Sequence, residues 1–181
     1  MTRLRFALLS LALLAGLGAV TGRAQPGTGT GTAIAAPRRP GYQIQFATIG
    51  GASAGLTGRA FIPIMAADVT VQPSGHRGAC AGLRVVEANG RSLRGYVRSL
   101  KIVLRTNATG DLPIGAHGCP GASLEATLEN GHTLRDGDGT VTVDQWETTP
   151  AGQVHATFSW TPRHGREPLP FRGDVLIPLP R

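Results

Sequence analysis

The stretch QVHATFSW, residues 153–160, alternates apolar and polar side chains along its whole length. An alternation with a period of two residues is typical of a β-strand that buries one face and exposes the other. The apolar members, which would share the buried face, are Val154, Ala156, Phe158 and Trp160. The stretch therefore predicts a half-buried strand, and the same pattern can be followed through the rest of the chain.

Similar alternation recurs between residues 41 and 181. The clearest further segments are 42–48, 123–129, 140–146 and 174–179, and weaker ones cover 56–62, 67–72, 82–88 and 99–106. Each is bounded by Gly, Pro, Asn or Asp, which end strands and form turns. With 26 Gly and 13 Pro, the sequence leaves little room for long helices. We expect an all-β domain of about eight strands, folded as an antiparallel β-sandwich or a small barrel.

One segment, GRSLRGYVRSLKIVLRTN at residues 90–107, fits two structures. Its basic residues recur every three or four positions, as on a helix that could lie on an anionic membrane surface. They are Arg91, Arg94, Arg98, Lys101 and Arg105. Leu100, Ile102 and Leu104 alternate instead as in a strand. Because glycine and β-branched residues disfavour a helix, we predict a strand over Ser99 to Thr106, with the basic residues forming a solvated surface.

The first 24 residues have the layout of a secretory signal peptide. Arg3 and Arg5 precede an apolar run that ends near Val20, and Gly22 and Ala24 offer the small side chains that a signal peptidase reads. The run of about 15 residues is short for a membrane span of about 20, although an uncleaved anchor is the alternative. We expect cleavage after Ala24 and no integral membrane span in the mature chain.

Residues 25–40, QPGTGTGTAIAAPRRP, show no useful alternation and predict a flexible linker before a domain at 41–181. Cleavage would remove three arginines and no acidic residue, so the net charge would fall from +7 to +4. A charge this small favours solubility and does not indicate a nucleic-acid partner. We expect a periplasmic or secreted protein.

The two cysteines, Cys80 and Cys119, allow two interpretations. In an oxidising compartment, a pair of cysteines predicts a disulfide. His76 lies four residues before Cys80, and His117 lies two before Cys119, so the reduced side chains could instead form a Cys2His2 site for zinc or copper. Neither spacing matches a common zinc-finger pattern, and we predict the disulfide.

The stretch GASAG at residues 51–55 matches the G-x-S-x-G motif around the nucleophile of many serine hydrolases. That motif needs a helix after the serine, whereas LTGRAFIPI at residues 56–64 is typical of a strand. Hydrolases of this class also contain a series of βαβ units, and the pattern shows none. We therefore expect no catalytic role for Ser53 and predict that the protein is not an enzyme.

Residues 134–145, LRDGDGTVTVDQ, resemble the calcium loop of an EF-hand. Asp136, Asp138 and Gly139 occupy positions that the loop requires, but Leu134 and Gln145 replace its first Asp and last Glu. The flanking segments alternate as strands, whereas an EF-hand needs helices. Since Asp-Gly pairs form tight turns, we predict a hairpin that carries no more than a weak calcium site at Asp136 and Asp138.

A wider likeness covers residues 99–179. The succession SLKIVLRT, GDLPIGAHG, ASLEATLEN, DGTVTVDQWE, GQVHATFSW and FRGDVLIPL resembles small exported β-sandwich domains of bacterial cell envelopes. The resemblance implies a fold and a compartment, with no catalytic residue and no cofactor. We expect an exported, non-enzymatic structural or binding module of the envelope, whose partner is an envelope component or a small ligand. A periplasmic metal-binding protein is the alternative.

Overall fold

The computed structural model describes residues 39–47, 57–75, 78–115, 119–135, 137–147, 149–162 and 168–181. These residues form strands joined by turns, and two single turns of 3-10 helix lie at Ala66–Asp68 and Gly78–Cys80. The strands are β1 (Gly41–Ala47), β2 (Thr57–Pro63), β3 (Val69–Pro73), β4 (Arg84–Arg91), β5 (Val97–Thr106), β6 (Gly110–Pro113), β7 (Gly121–Leu128), β8 (Thr133–Arg135), β9 (Asp138–Trp146), β10 (Gln153–Thr161) and β11 (Phe171–Pro178).

The strands form two antiparallel sheets that pack face to face as a sandwich. One sheet has six strands in the order β2-β1-β11-β10-β9-β6, and the other has five in the order β3-β4-β5-β7-β8. The predicted all-β sandwich is therefore confirmed, and the closed barrel that was its alternative is not formed. All nine predicted strands are present. The two that the pattern missed, β6 and β8, contain only four and three residues, too few for an alternation to show.

The segment with two possible structures is a strand. β5 runs over Val97–Thr106 between β4 and β7, so the strand prediction is confirmed and the helix is excluded. Its basic residues are divided among separate places. Lys101 and Arg105 alternate with the buried residues of β5, and Arg91 ends β4. Arg94 is exposed in the turn between them, where the Arg98 guanidinium donates to the Leu93 carbonyl.

The core lies between the two sheets, where the alternation places the apolar side chains. A run of aromatic rings crosses it from one sheet to the other. Trp160 stacks on Phe171 with centroids 5.3 Å apart, Phe171 contacts Phe46 at 6.0 Å, and Phe46 stacks on Tyr96 at 5.2 Å. Since Tyr96 directly precedes β5, these contacts join the end of β1 and the start of β11 to the opposite sheet.

A single buried tyrosine also joins the sheets through a hydrogen bond. The Tyr42 hydroxyl, on β1, donates to the Ala88 carbonyl on β4 at 2.8 Å. Burial raises the pKa of Tyr42 well above its ordinary value, so the hydroxyl keeps the proton that it donates. The ring lies against Gly90, where an added Cβ would come within 2.8 Å of it. Glycine at this position is therefore required by the close approach of the ring.

The predicted disulfide is confirmed. Cys80 and Cys119 are bonded, with their Cα atoms 5.3 Å apart, and they join the segment before β4 to the segment before β7. The bond closes a loop between two strands that flank β5 in the same sheet. It therefore fixes one end of the five-stranded sheet.

Removal of the disulfide should destabilise the protein strongly. The double variant Cys80→Ala with Cys119→Ala should lose about 4 kcal/mol of unfolding free energy, because the bond spans 39 residues and restricts the unfolded chain. Urea denaturation measures the loss, and the wild type under reducing conditions should match the variant. A wild-type stability that does not change on reduction would contradict the prediction.

The hydrogen bond of Tyr42 should be measurable as well. Tyr42→Phe should lower the unfolding free energy by about 1 kcal/mol, because the ring remains while the bond to Ala88 is lost. Tyr96→Phe is the matched control and should stay within about 0.5 kcal/mol of the wild type, since that half-buried tyrosine contributes its ring to the stack. Equal losses of unfolding free energy in both variants, measured by chemical denaturation, would show that the hydrogen bond from Tyr42 to Ala88 does not stabilise the protein.

Candidate functional site

The segment that resembled a calcium loop passes from one sheet to the other. β8 pairs with β7 in the five-stranded sheet, whereas β9 pairs with β10 and β6 in the six-stranded sheet. The predicted flanking strands are confirmed, but the predicted hairpin is wrong, because β8 and β9 belong to different sheets. Gly137, with φ +117°, makes the crossing possible, since a Cβ there would lie 2.2 Å from the Thr161 carbonyl oxygen.

The other predicted site residues are only partly placed. Asp138 is exposed at the start of β9, and Asp136 lies outside the described residues. Ser53 also lies outside them, and the next described element is the strand β2, as expected for the segment after the motif.

The Cys2His2 metal site, the alternative interpretation of the two cysteines, would have needed both sulfurs as thiolates. Both are used in the disulfide, and His76 and His117 lie outside the described residues. Over the described ranges, no three His, Cys, Asp or Glu side chains are arranged to hold a metal ion.

A cavity of about 700 Å³ opens where β1 ends and where β2 and β11 begin. We call it the arginine cavity. Its described lining comprises Gln45, Phe46, Ala47, Gly58, Arg59, Pro170 and Arg172. None of these residues was expected to be functional from the sequence.

Strand register builds the polar side of the arginine cavity. Gln45 on β1 lies opposite Arg59 on β2 and opposite Arg172 on β11. Residues directly opposite each other in antiparallel strands point to the same face, so the three side chains form one row. Two strand spacings put the Cα atoms of the arginines on the order of 10 Å apart, with the glutamine between them.

The central glutamine is oriented by one of the arginines. With the Gln45 amide turned so that donors face acceptors, its oxygen accepts from Arg59 Nε at 3.1 Å and from Arg59 Nη2 at 3.3 Å. The amide NH2 group is then left to donate in another direction. The row thus presents hydrogen-bond donors from an amide and from two guanidinium groups.

Ala47 and Pro170 give the arginine cavity an apolar border. Ala47 lies two residues after Gln45 on β1, so its side chain is on the same face of the sheet as the polar row. Phe46, between them in sequence, points into the core and is only 7% exposed, with its ring over Gly58 and stacked on Tyr96. The cavity therefore combines a cationic row with a small apolar surface.

The two arginines have no acidic partner in the part of the chain that the structure describes. The ion pairs found there join Lys101 to Glu87 at 2.6 Å and Arg135 to Glu125 at 2.9 Å, and the remaining two involve His155. A smaller cavity of about 250 Å³ on the five-stranded sheet contains Lys101, Glu125 and Arg135, whose charges are thus already paired. The arginine cavity differs because its described lining contains cations and no carboxylate.

A second polar cluster lies on the same sheet. His155 on β10 faces Asp144 on β9, with Nδ1 3.4 Å from Oδ2, and Asp174 on β11, with Nε2 3.7 Å from Oδ1. Asp144 is the extra residue at an irregularity in the pairing of β9 with β10. Since the two carboxylates approach opposite nitrogens of the ring, they cannot bind one metal ion together with His155. The cluster therefore has the geometry of a half-buried network of ion pairs.

Asp174 is the most deeply buried carboxyl group of this cluster. It is only 6% exposed, and burial raises the pKa of its carboxyl group above the ordinary value. His155 opposes the rise in this pKa, and Asp144 adds to it. The ionised form of Asp174 is thus less favourable in the folded chain than in the unfolded chain.

The stability effect of Asp174 should depend on pH. Because its folded pKa is raised, the carboxylate costs stability above that pKa, and the cost disappears as the pH falls towards the ordinary value of 3.8. Asp174→Asn should therefore raise the melting temperature at neutral pH by about 2–4 °C, and the gain should shrink in acid. Asp144→Asn, at a more exposed carboxylate, is the control. A gain for Asp174→Asn that stays constant from neutral to acidic pH would contradict the assignment.

Comparison with known proteins returned no match: no family model, curated protein or solved structure is significantly similar to the chain. Within the described residues, no helix is long and apolar enough to cross a membrane. The site therefore has to be interpreted from its own geometry.

Proposed function

We propose that the protein is an exported, non-enzymatic binding module of the bacterial cell envelope, and that the arginine cavity holds its ligand. The observation that carries the proposal is the pair of arginines around Gln45, on an open cavity without an acidic side chain in its described lining. A volume of about 700 Å³ lies within the range of small-molecule sites. The leader-like first 24 residues and the disulfide support export.

Rigidity supports binding as the activity of this site. Gln45, Arg59 and Arg172 are carried by three adjacent strands, and their positions are set by backbone pairing. A site on paired strands loses little backbone conformational entropy when a ligand enters. The arginine side chains remain exposed and can adjust to the ligand. The cavity is therefore largely formed before binding.

The cluster of His155, Asp144 and Asp174 favours a structural role for the histidine. Both ring nitrogens of His155 are directed at carboxylates, and Nε2 is buried. A general base needs a nitrogen that reaches the substrate. The arginine cavity supplies positive charge and hydrogen-bond donors, which suit binding. The metal-binding alternative needs two thiolates, and no described contact favours it over the disulfide.

The proposal predicts that the exported protein associates with cell envelopes through the arginine cavity. Expressed with its leader in a bacterial host, the protein should be recovered outside the cytoplasm, cleaved after Ala24 and two hydrogens lighter than its reduced mass. It should sediment with washed envelopes, and Arg59→Ala with Arg172→Ala should reduce the sedimenting fraction severalfold.

Arg135→Ala is the control, because it removes one positive charge from an exposed position on the opposite sheet. This variant should sediment as the wild type does. Retention in the cytoplasm, or equal sedimentation of all variants, would overturn the proposed function.

A further inference from the structure

We infer that the ligand of the arginine cavity carries an oxyanion, a phosphate or carboxylate group, that is bridged between Arg59 and Arg172 and has an apolar portion attached. The inference rests on the proposed function, since it names the chemistry of the same site. The geometry points to it through three features: the spacing of the arginines, the absence of a counter-charge among the described residues, and the apolar border.

The spacing of the arginines suits one bridging group. Both residues share a row with Gln45, so their guanidinium groups leave the same face of the sheet on either side of it. Guanidinium groups bind carboxylate and phosphate through paired N–H···O bonds of about 2.7–2.9 Å. An oxyanion above Gln45 can accept such bonds from Arg172 on one side and, on the other, from the N–H groups of Arg59 that do not donate to Gln45. The Gln45 NH2 group, turned away from Arg59 by its own hydrogen bonds, can donate a further one.

Among the described residues no carboxylate pairs with the two arginines, and this favours an anion. The arginines share one face of the sheet on either side of Gln45, so their positive charges repel each other. The nearest carboxylate along β11, Asp174, faces His155 instead of Arg172. Nothing in the described residues neutralises the pair. A bound anion would convert this repulsion into attraction.

The apolar border favours a ligand with an apolar portion beside the anionic group. Ala47 and Pro170 line the cavity next to the cationic row, and both are half-buried. An inorganic ion would leave this surface in contact with water, whereas a ligand with a short apolar portion would cover it. The structure thus favours an amphipathic anion over a bare ion.

Titration of the exported protein tests the inference with hexyl phosphate, hexanoate, inorganic phosphate and hexanol as probes. Hexyl phosphate or hexanoate should bind more tightly than inorganic phosphate, and hexanol should bind weakest. Arg59→Ala and Arg172→Ala should each weaken the anionic probes about tenfold or more, because each removes a charged hydrogen-bond donor. Arg135→Ala should leave the dissociation constants within about twofold, since a remote screened charge contributes little.

Amide chemical shifts locate the probe. Addition of hexyl phosphate should move the signals of Gln45, Arg59 and Arg172 and leave those of the cavity on the five-stranded sheet unchanged. Shifts spread equally over both sheets, equal weakening by Arg135→Ala, or binding of hexanol as tight as that of hexyl phosphate would each overturn the inference. The melting temperatures of the two arginine variants should equal that of the wild type, because both side chains are exposed.

Vesicles identify the source of the oxyanion. Vesicles that contain phosphatidylglycerol, compared with vesicles of phosphatidylcholine alone, report a lipid headgroup, whereas saturation by hexyl phosphate without vesicle binding reports a free anionic molecule. Either result with the expected arginine dependence supports the inference. If envelope sedimentation depends on Arg59 and Arg172 but no anionic probe binds, the ligand class is wrong while the proposed function stands.

Discussion

The two sheets depend on each other, because each has one apolar face that only the other covers. Along most of β5, β7 and β10 the buried residues alternate with half-exposed or exposed ones, so neither sheet could keep its inner face from water alone. Tyr42 adds a directional contact to this non-directional burial, since its hydroxyl reaches from β1 to the Ala88 carbonyl on β4. The run of rings from Trp160 to Tyr96 connects the same two layers at another place. The inner faces are thus fixed against each other.

Once the inner faces are fixed, the chemistry of the protein lies on the outer ones, and these differ. On the five-stranded sheet two described pairs cross between strands, Lys101 with Glu87 and Arg135 with Glu125. Exposed pairs of this kind contribute little to stability. Arg105 lies on the same face of β5 as Lys101, and its buried Nη1 has no hydrogen-bond partner among the described residues. On the six-stranded sheet His155 lies between Asp144 and Asp174, and Arg59 and Arg172 border the arginine cavity. Of the two cavities described above, the arginine cavity is the one without a carboxylate in its described lining.

The alternation in the sequence was enough to predict the longer strands. A strand that buries one face must alternate apolar and polar residues, and the pattern is visible once the strand has more than a few residues. It could not tell which strands pair. Residues 134–145 were expected to form a hairpin, yet β8 and β9 enter different sheets, since both a hairpin and a crossing use glycine next to aspartate. The arginine cavity was missed for the same reason. Gln45, Arg59 and Arg172 are ordinary polar residues in their own segments, and only the placement of β1 between β2 and β11 brings them into one row.

The order of strands also explains why the acidic cluster does not cancel the cationic row nearby. Arg172 and Asp174 are two residues apart on β11, and a strand rises about 3.3 Å per residue, so their Cα atoms lie roughly 6.6 Å apart on one face. At that distance Asp174 could have paired with Arg172. It faces His155 because β10 is the neighbour of β11 on that side, whereas Gln45 of β1 is the neighbour of Arg172 on the other. A neutral glutamine therefore occupies the position on β1 from which an acidic residue could have paired with Arg172. The buried Asp174 carboxyl, with its raised pKa, is held in a network with His155 and Asp144 instead of pairing with Arg172.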